Sequence, residues 1–267
     1  MGSPLRLSAV ELTTKYDLEP RIVEEAHERI DTRESWLVGF SGKIGAGKDT
    51  VAPLAFEHLQ SDAHLVRTDS FGLNLKEEFS DLIALIRGAQ GEHAAGLSIA
   101  DHFGVPRDQS LELAARIWTE VESGVLTNGF VKTPASRIGL QYWATEIRRT
   151  QDPLHWVKPV IARAVDAAAR GVSTQLTDVR FLTEAWGILD AGGFAVRLDV
   201  RPEEQSRRIW ERDGIEISEA ARTHSSEIEL DDFAHFTARV QTEDHDSVES
   251  VSRAAARMVT EAASTLF

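Results

Sequence analysis

The run Gly42-Lys43-Ile44-Gly45-Ala46-Gly47-Lys48-Asp49-Thr50 constrains the fold more than any other stretch of this chain. It follows Trp36-Leu37-Val38-Gly39-Phe40, which has the length and composition of a buried strand, and an apolar segment begins at Val51. A strand, a glycine-rich turn and a helix start aim several backbone N–H groups at one place, and the helix dipole adds partial positive charge there. Glycine lets the backbone close around an anion without side-chain clash. The pattern therefore predicts a phosphate-binding loop in which Gly42, Gly45, Ala46, Gly47, Lys48, Asp49 and Thr50 surround a nucleoside triphosphate. Lys48 is placed to reach its β- and γ-phosphates.

Asp49 stands where most such loops carry Ser or Thr, and the hydroxyl comes one position later, at Thr50. That shift resembles small-molecule kinases of the nucleoside monophosphate kinase type, in which the hydroxyl contacts phosphate and the metal is held largely through water. A switch GTPase would also need an Asn-Lys-x-Asp string, and the sequence has none.

Charge and cysteine content narrow the partners. Forty-three acidic residues against 29 basic ones give a net charge of −14, the opposite of a free-standing nucleic-acid binder. Cysteine is absent, which excludes disulfides, thiolate zinc sites and a cysteine nucleophile. Residues 1–20 carry charge throughout, unlike a signal peptide, and the apolar runs are too short to span a bilayer. The expectation is a cytoplasmic protein with a small-molecule nucleotide substrate, no nucleic acid and no membrane partner; a homodimer stays open.

Periodicity predicts a helix over 20–30, strands over 64–69, 172–177 and 194–200, and helices over 75–87, 136–150, 153–169 and 184–191. Asp246 and Glu249 have the spacing of a capping box for a last helix. Between 88 and 130, glycines interrupt the pattern and only 110–123 reads as helix, so that segment is expected to be an acceptor-side insertion. Strands alternating with helices predict an α/β fold: a parallel sheet of about five strands flanked by helices. Residues 1–34 form a helical extension, 35–267 the main domain, and 201–230 a helical lid.

Several side chains suit phosphate chemistry. Asp178, at the end of the strand Leu176-Thr177-Asp178, is placed to hold water around Mg²⁺. Arg180 suits an acceptor phosphate as a bidentate clamp. The plainer alternative, a helix N-cap at Asp178 and a surface Arg180, loses ground with the phosphate loop upstream. Arg137, Gln141 and Thr145 fall at i, i+4 and i+8, on one helix face, and read equally well as substrate contacts or as a solvated face. The arginines at 201, 207, 208 and 212 suit a lid closing over the migrating phosphoryl group, with Glu–Arg pairing on an exposed helix as the alternative. His224 and Glu227 read either as an acid/base pair or as the polar start of a capped helix.

Taken together, the phosphate loop, Ser70-Phe71-Gly72-Leu73-Asn74-Leu75-Lys76, Arg137-x-x-Leu140-Gln141-x-x-Ala144-Thr145-Glu146, Asp178-x-Arg180-Phe181-x-x-Glu184 and Ser226-Glu227-x-x-Leu230-Asp231 resemble the phage-type deoxynucleoside monophosphate kinases. The resemblance covers about residues 36–250. It implies a P-loop kinase fold and transfer of the γ-phosphate of ATP, with Mg²⁺, to a deoxynucleoside 5′-monophosphate. It implies catalytic roles for Lys48, Asp178, Arg180 and Arg208. It places Asp69, Lys76, Arg137, Gln141, Arg180 and Glu184 on the acceptor, and Thr50 and Asp178 at the metal. Gly72, Asn74 and Ala144 depart from the family pattern, as does Gln241-Thr242-Glu243, where an Asn is expected. The alternatives are a P-loop kinase of another small acceptor (dephospho-coenzyme A or phosphomevalonate in type), a kinase of modified bases in DNA, and a non-enzymatic nucleotide-binding regulator.

Overall fold

In the computed structural model, which describes residues 6–59, 65–214, 216, 222–242 and 247–266, the chain divides into two units. One is Met1–Ser70 with Val157–Phe267, and the other is Phe71–Trp156. The chain starts with α1 (Ala9–Tyr16) and α2 (Pro20–Asp31), then runs through β1 (Leu37–Ser41), α3 (Lys48–Leu59) and β2 (Leu65–Asp69). The second unit holds α4 (Phe71–Gly88), α5 (Glu92–Phe103), α6 (Arg107–Glu122), α7 (Pro134–Gln141), a π-helical turn at Tyr142–Arg148 and α8 (Arg149–Gln151). The chain returns through α9 (Val157–Ala169), β3 (Val172–Val179), α10 (Leu182–Asp190), β4 (Phe194–Val200) and α11 (Pro202–Asp213). It finishes with α12 (Ser225–Ile228), β5 (Ala238–Thr242) and α13 (Val248–Leu266). The expected residues His64, Glu243 and Asp246, and part of the 201–230 lid, lie outside the described residues.

All five strands of the first unit run parallel, in the order β2-β3-β1-β4-β5, as the alternation of strands and helices predicts. All of β1 is buried, the normal state of a strand covered on both faces. Val38 and Phe40 pack on one face with Ala55 and Phe56 of α3 and Val251 and Val259 of α13. Gly39 looks the other way, toward α10: a Cβ there would stand 2.2 Å from Ile188 Cδ1. The strand order reverses at β1, so the carboxyl ends of β1, β3 and β4 open a crevice where ligands of such sheets bind.

Residues 1–34, expected as an extension, belong to this unit. Leu12, Tyr16, Val23, Ala26 and Ile30 are buried. The Tyr16 hydroxyl donates to Asp190 at 2.6 Å, and Arg29 Nε donates to the Ala169 carbonyl at 3.0 Å. His27, also buried, has no hydrogen-bond partner for Nε2 among the described residues. Burial, aided by the nearby Arg6 charge, pulls its pKa down to about 4. Below its ordinary value near 6.5 the unfolded chain takes up a proton that the folded one refuses, so stability falls as pH drops from about 6.5 to 4. His27→Leu is expected to remove this loss, worth about 3 kcal/mol across that window. Urea unfolding of both proteins at pH 7 and pH 4 reads the difference; a gap that does not change with pH would assign the titration elsewhere.

The second unit is a helical insertion wider than the 88–130 segment expected to carry it. Its core joins Phe79, Leu82 and Ile83 of α4, Ile99 of α5, Leu113 and Ile117 of α6, and Trp143 and Ile147 of the π turn. Helix α5 fills a stretch read from sequence as irregular. Gly91 and Gly104 cap its ends, and Gly96 lets α6 approach so closely that a Cβ would stand 2.7 Å from Leu111 Cα. The single helix expected over 136–150 is three pieces: the Arg149 N–H reaches back five residues, to the Ala144 carbonyl. Glu78 anchors this turn, accepting from Trp143 Nε1 at 2.9 Å and Arg148 Nε at 2.6 Å and bonding His155 Nε2 at 3.1 Å. Burial works against the Glu78 charge, but the hydrogen bonds from His155 and Arg148 outweigh it and hold the carboxyl below its ordinary range. The Arg148 guanidinium lies over both the Trp143 and Phe103 rings, at 4.7 and 5.1 Å.

Candidate phosphate-binding site

The loop between β1 and α3 has the backbone an anion cradle needs. Gly42 has φ of +148°, and a Cβ there would stand 2.6 Å from the Leu198 carbonyl of β4. Gly47 has φ of +87° and open space where a side chain would sit. Helix α3 starts directly after it, with Thr50 and Val51 donating to the Gly47 carbonyl. Lys48, only 7% exposed, curls over the loop and donates to the carbonyls of Gly42 at 2.6 Å and Lys43 at 3.1 Å. Burial, and then the Arg180 charge, lower its pKa to about 8, against the pull of Glu227 and Asp49.

These residues fit a polyphosphate: helix-start N–H groups, an open cradle at Gly47 and a buried cation lie within one turn of chain. Val179 of β3 pairs with Ser41 of β1, so half-buried Asp178 sits beside the strand end from which the loop leaves. No cluster of three or more His, Asp or Glu among the described residues can hold a metal alone. The donor set of Thr50 and Asp178 fits Mg²⁺, which takes one or two protein oxygens and draws the rest from phosphate and water.

The outer side of the loop is tied to distant segments. Ile44 N–H donates to Glu227 Oε2 at 2.8 Å, and Gln205 Nε2 donates to the Ile44 carbonyl at 2.9 Å. Arg180 pairs through Nη1 with the other Glu227 oxygen. Lys43 and Arg197 meet at Asp231, at 2.8 and 2.7 Å, and Arg197 Nη1 donates to Ser41 Oγ at 3.1 Å. Arg222 holds Gln205 at 3.2 Å and Ser206 at 2.8 Å. Lys43, Arg197, Gln205, Arg222, Glu227 and Asp231 help line a cavity of about 500 Å³ next to the loop.

Of the residues expected at the site, Gly42, Gly45, Ala46, Gly47, Lys48, Asp49, Thr50, Asp178 and Arg180 belong to the loop and the two strand ends beside it. Glu184 is buried and accepts from the Arg180 and Phe181 N–H groups at 2.8 and 3.1 Å, so it caps α10. Asp69 is 4% exposed, with both oxygens engaged. Arg163 forks onto it at 2.8 and 2.9 Å, Arg67 binds at 2.8 Å and the Ser70 N–H at 2.8 Å. Arg208 pairs with Glu204, which also takes Arg207, but Glu204 is buried and not part of an exposed face.

Lys76, Arg137 and Gln141 lie on the helical unit. Lys76 stands 5.8 Å from the Phe130 ring centroid, and Arg137 and Gln141 are exposed on α7. An α-helix turns about 100° per residue and a π-helix about 80°. The steps from Arg137 to Gln141 and on to Thr145 are therefore about +40° and −40°, which returns Thr145 to the line of Arg137 with Gln141 about 40° to one side.

Arg197 and Gln205 were given no role from sequence, and Asp231 appeared there only within the Ser226–Asp231 string. Arg197 had a signal, since it is a cation inside the apolar strand 194–200.

No family model matches the chain. No curated protein matches it either. Among solved structures it is similar to the crystal structure of TT1252 from Thermus thermophilus, at 17% identity and a TM-score of 0.40, covering 85% of this chain and 97% of that one.

Proposed function

We propose that this protein is a cytoplasmic kinase that moves the γ-phosphate of ATP onto a deoxynucleoside 5′-monophosphate. An oxygen of the acceptor phosphate attacks the γ-phosphorus, the bond to the β–γ bridging oxygen breaks, and ADP leaves with the deoxynucleoside diphosphate. The observation that carries the reading is Lys48, buried on the carbonyls of a phosphate loop at the carboxyl end of β1. Its ammonium releases those carbonyls to meet the charge on the β- and γ-phosphates, and the N–H groups at the start of α3 share that load. Mg²⁺, when bound at Thr50 and Asp178, supplies charge neutralisation between the phosphates. Arg180 orients the acceptor phosphate, which is already an anion and needs no general base. The choice of acceptor rests on the likeness of the Arg137–Glu146 and Asp178–Glu184 strings to the deoxynucleoside monophosphate kinases.

Purified protein incubated with ATP, Mg²⁺ and each deoxynucleoside monophosphate in turn should release ADP and form the matching diphosphate with at least one of them. ATP binding without turnover on any would move the acceptor to another small phosphorylated compound. Arg180→Ala is expected to raise the acceptor KM by about tenfold or more, since a charged hydrogen bond is worth roughly 1.5–3 kcal/mol. ATP affinity should change far less, and the reverse pattern in steady-state kinetics would remove Arg180 from the acceptor.

A further inference from the structure

Glu227 lies 183 positions beyond Ile44 and yet accepts its N–H at 2.8 Å. The other oxygen of the same carboxylate takes Nη1 of Arg180. The side chain is only 8% exposed, so its charge has been taken out of water and is compensated by these two donors. On the other side of the same residue, Gln205 Nε2 donates to the Ile44 carbonyl at 2.9 Å, and the Gln205 side-chain oxygen accepts from Arg222. Ile44 is the residue just before Gly45, where the loop turns with φ of +79°. Both polar groups of its backbone are thus fixed from outside the loop.

We propose that Glu227 is a positioning residue of the transfer site, holding the Ile44 peptide of the phosphate loop and the Arg180 guanidinium in one fixed relation. The proposal rests on the functional reading above for what the two groups do, and on geometry alone for the clamp. A loop and an arginine that serve opposite ends of one phosphoryl transfer gain from being set before either substrate arrives, because reorganisation at the moment of reaction is costly. One buried carboxylate with one oxygen on each group supplies that. A shift at either oxygen is felt at the other, so acceptor contact at Arg180 and donor contact at the loop become linked and reciprocal.

The test uses the full chain with Glu227→Ala and Glu227→Gln. Three readouts are compared with the parent protein: exchange of the Ile44 amide without nucleotide, ATP affinity by calorimetry, and acceptor KM for a deoxynucleoside monophosphate. E227A removes both bonds and is expected to cut Ile44 amide protection and ATP affinity by about tenfold each. E227Q keeps an oxygen for the Ile44 N–H but loses the charge that holds Arg180. It should bring ATP affinity within about threefold of the parent while leaving the acceptor KM raised by about tenfold. A general loss of structure would not split the two substrates in this way. E227A with parental Ile44 protection and ATP affinity would overturn the clamp, as would E227Q failing in step with E227A. Should E227A not fold, the split in E227Q decides alone. Should no deoxynucleoside monophosphate turn over, the functional reading falls, and amide exchange with ATP binding still decides the clamp.

Discussion

Lys48→Ala is expected to lower phosphoryl transfer at least about 100-fold, the usual cost of deleting one charge-stabilising donor from an enclosed site. Burial weighs most against the charge of this lysine, with Arg180 and Arg197 adding to it and Glu227 and Asp49 opposing them. Folding gains little from that ammonium, so the alanine protein should melt within a few degrees of the parent. The carbonyls of Gly42 and Lys43 lose a donor, which sets the small cost. A large fall in turnover with an unchanged melting temperature would mark the residue as functional. Turnover within a fewfold of the parent would reject the phosphate-loop assignment.

Trp143→Ala should produce the largest loss of stability. The ring is fully buried in the core of the helical unit, and large aromatic-to-alanine changes in cores cost about 3–5 kcal/mol. Its Nε1–H also donates to Glu78, and its face carries Arg148, so the alanine loosens both anchors of the π turn. Trp143→Phe keeps a ring and loses the N–H, and should cost closer to about 1–2 kcal/mol. Urea unfolding of the two variants reads this order. Equal losses would mean that the hydrogen bond, not the packed ring, carries the turn.

The sheet and the glycine-rich turn between β1 and α3 were legible because their signals are local. Strand 194–200 and the run Gly42–Thr50 each declare themselves within about ten residues. Helix α5 was not legible, because Gly96 reads as a breaker in a linear scan and is in fact the contact that seats α6. The π turn was hidden too: Trp143 and Arg148 both meet Glu78, a contact across 65 and 70 residues that no periodicity records. At the site, Asp178 and Arg180 could be placed from the strand that bears them. Glu227 appeared in sequence as an acid/base candidate or a helix start. Its two bonds join segments 47 and 183 residues away, and only the folded chain pairs them.

Asp69 has a further consequence. Its carboxylate fastens β2, the last element before the chain leaves the sheet unit at Ser70, to Arg163 of α9, the first element after it returns at Val157. The two joints of the 71–156 insertion therefore start from elements already pinned to each other without it. The register of the sheet is thus closed on itself at the point where the insertion enters and leaves, as a door frame is complete without its door.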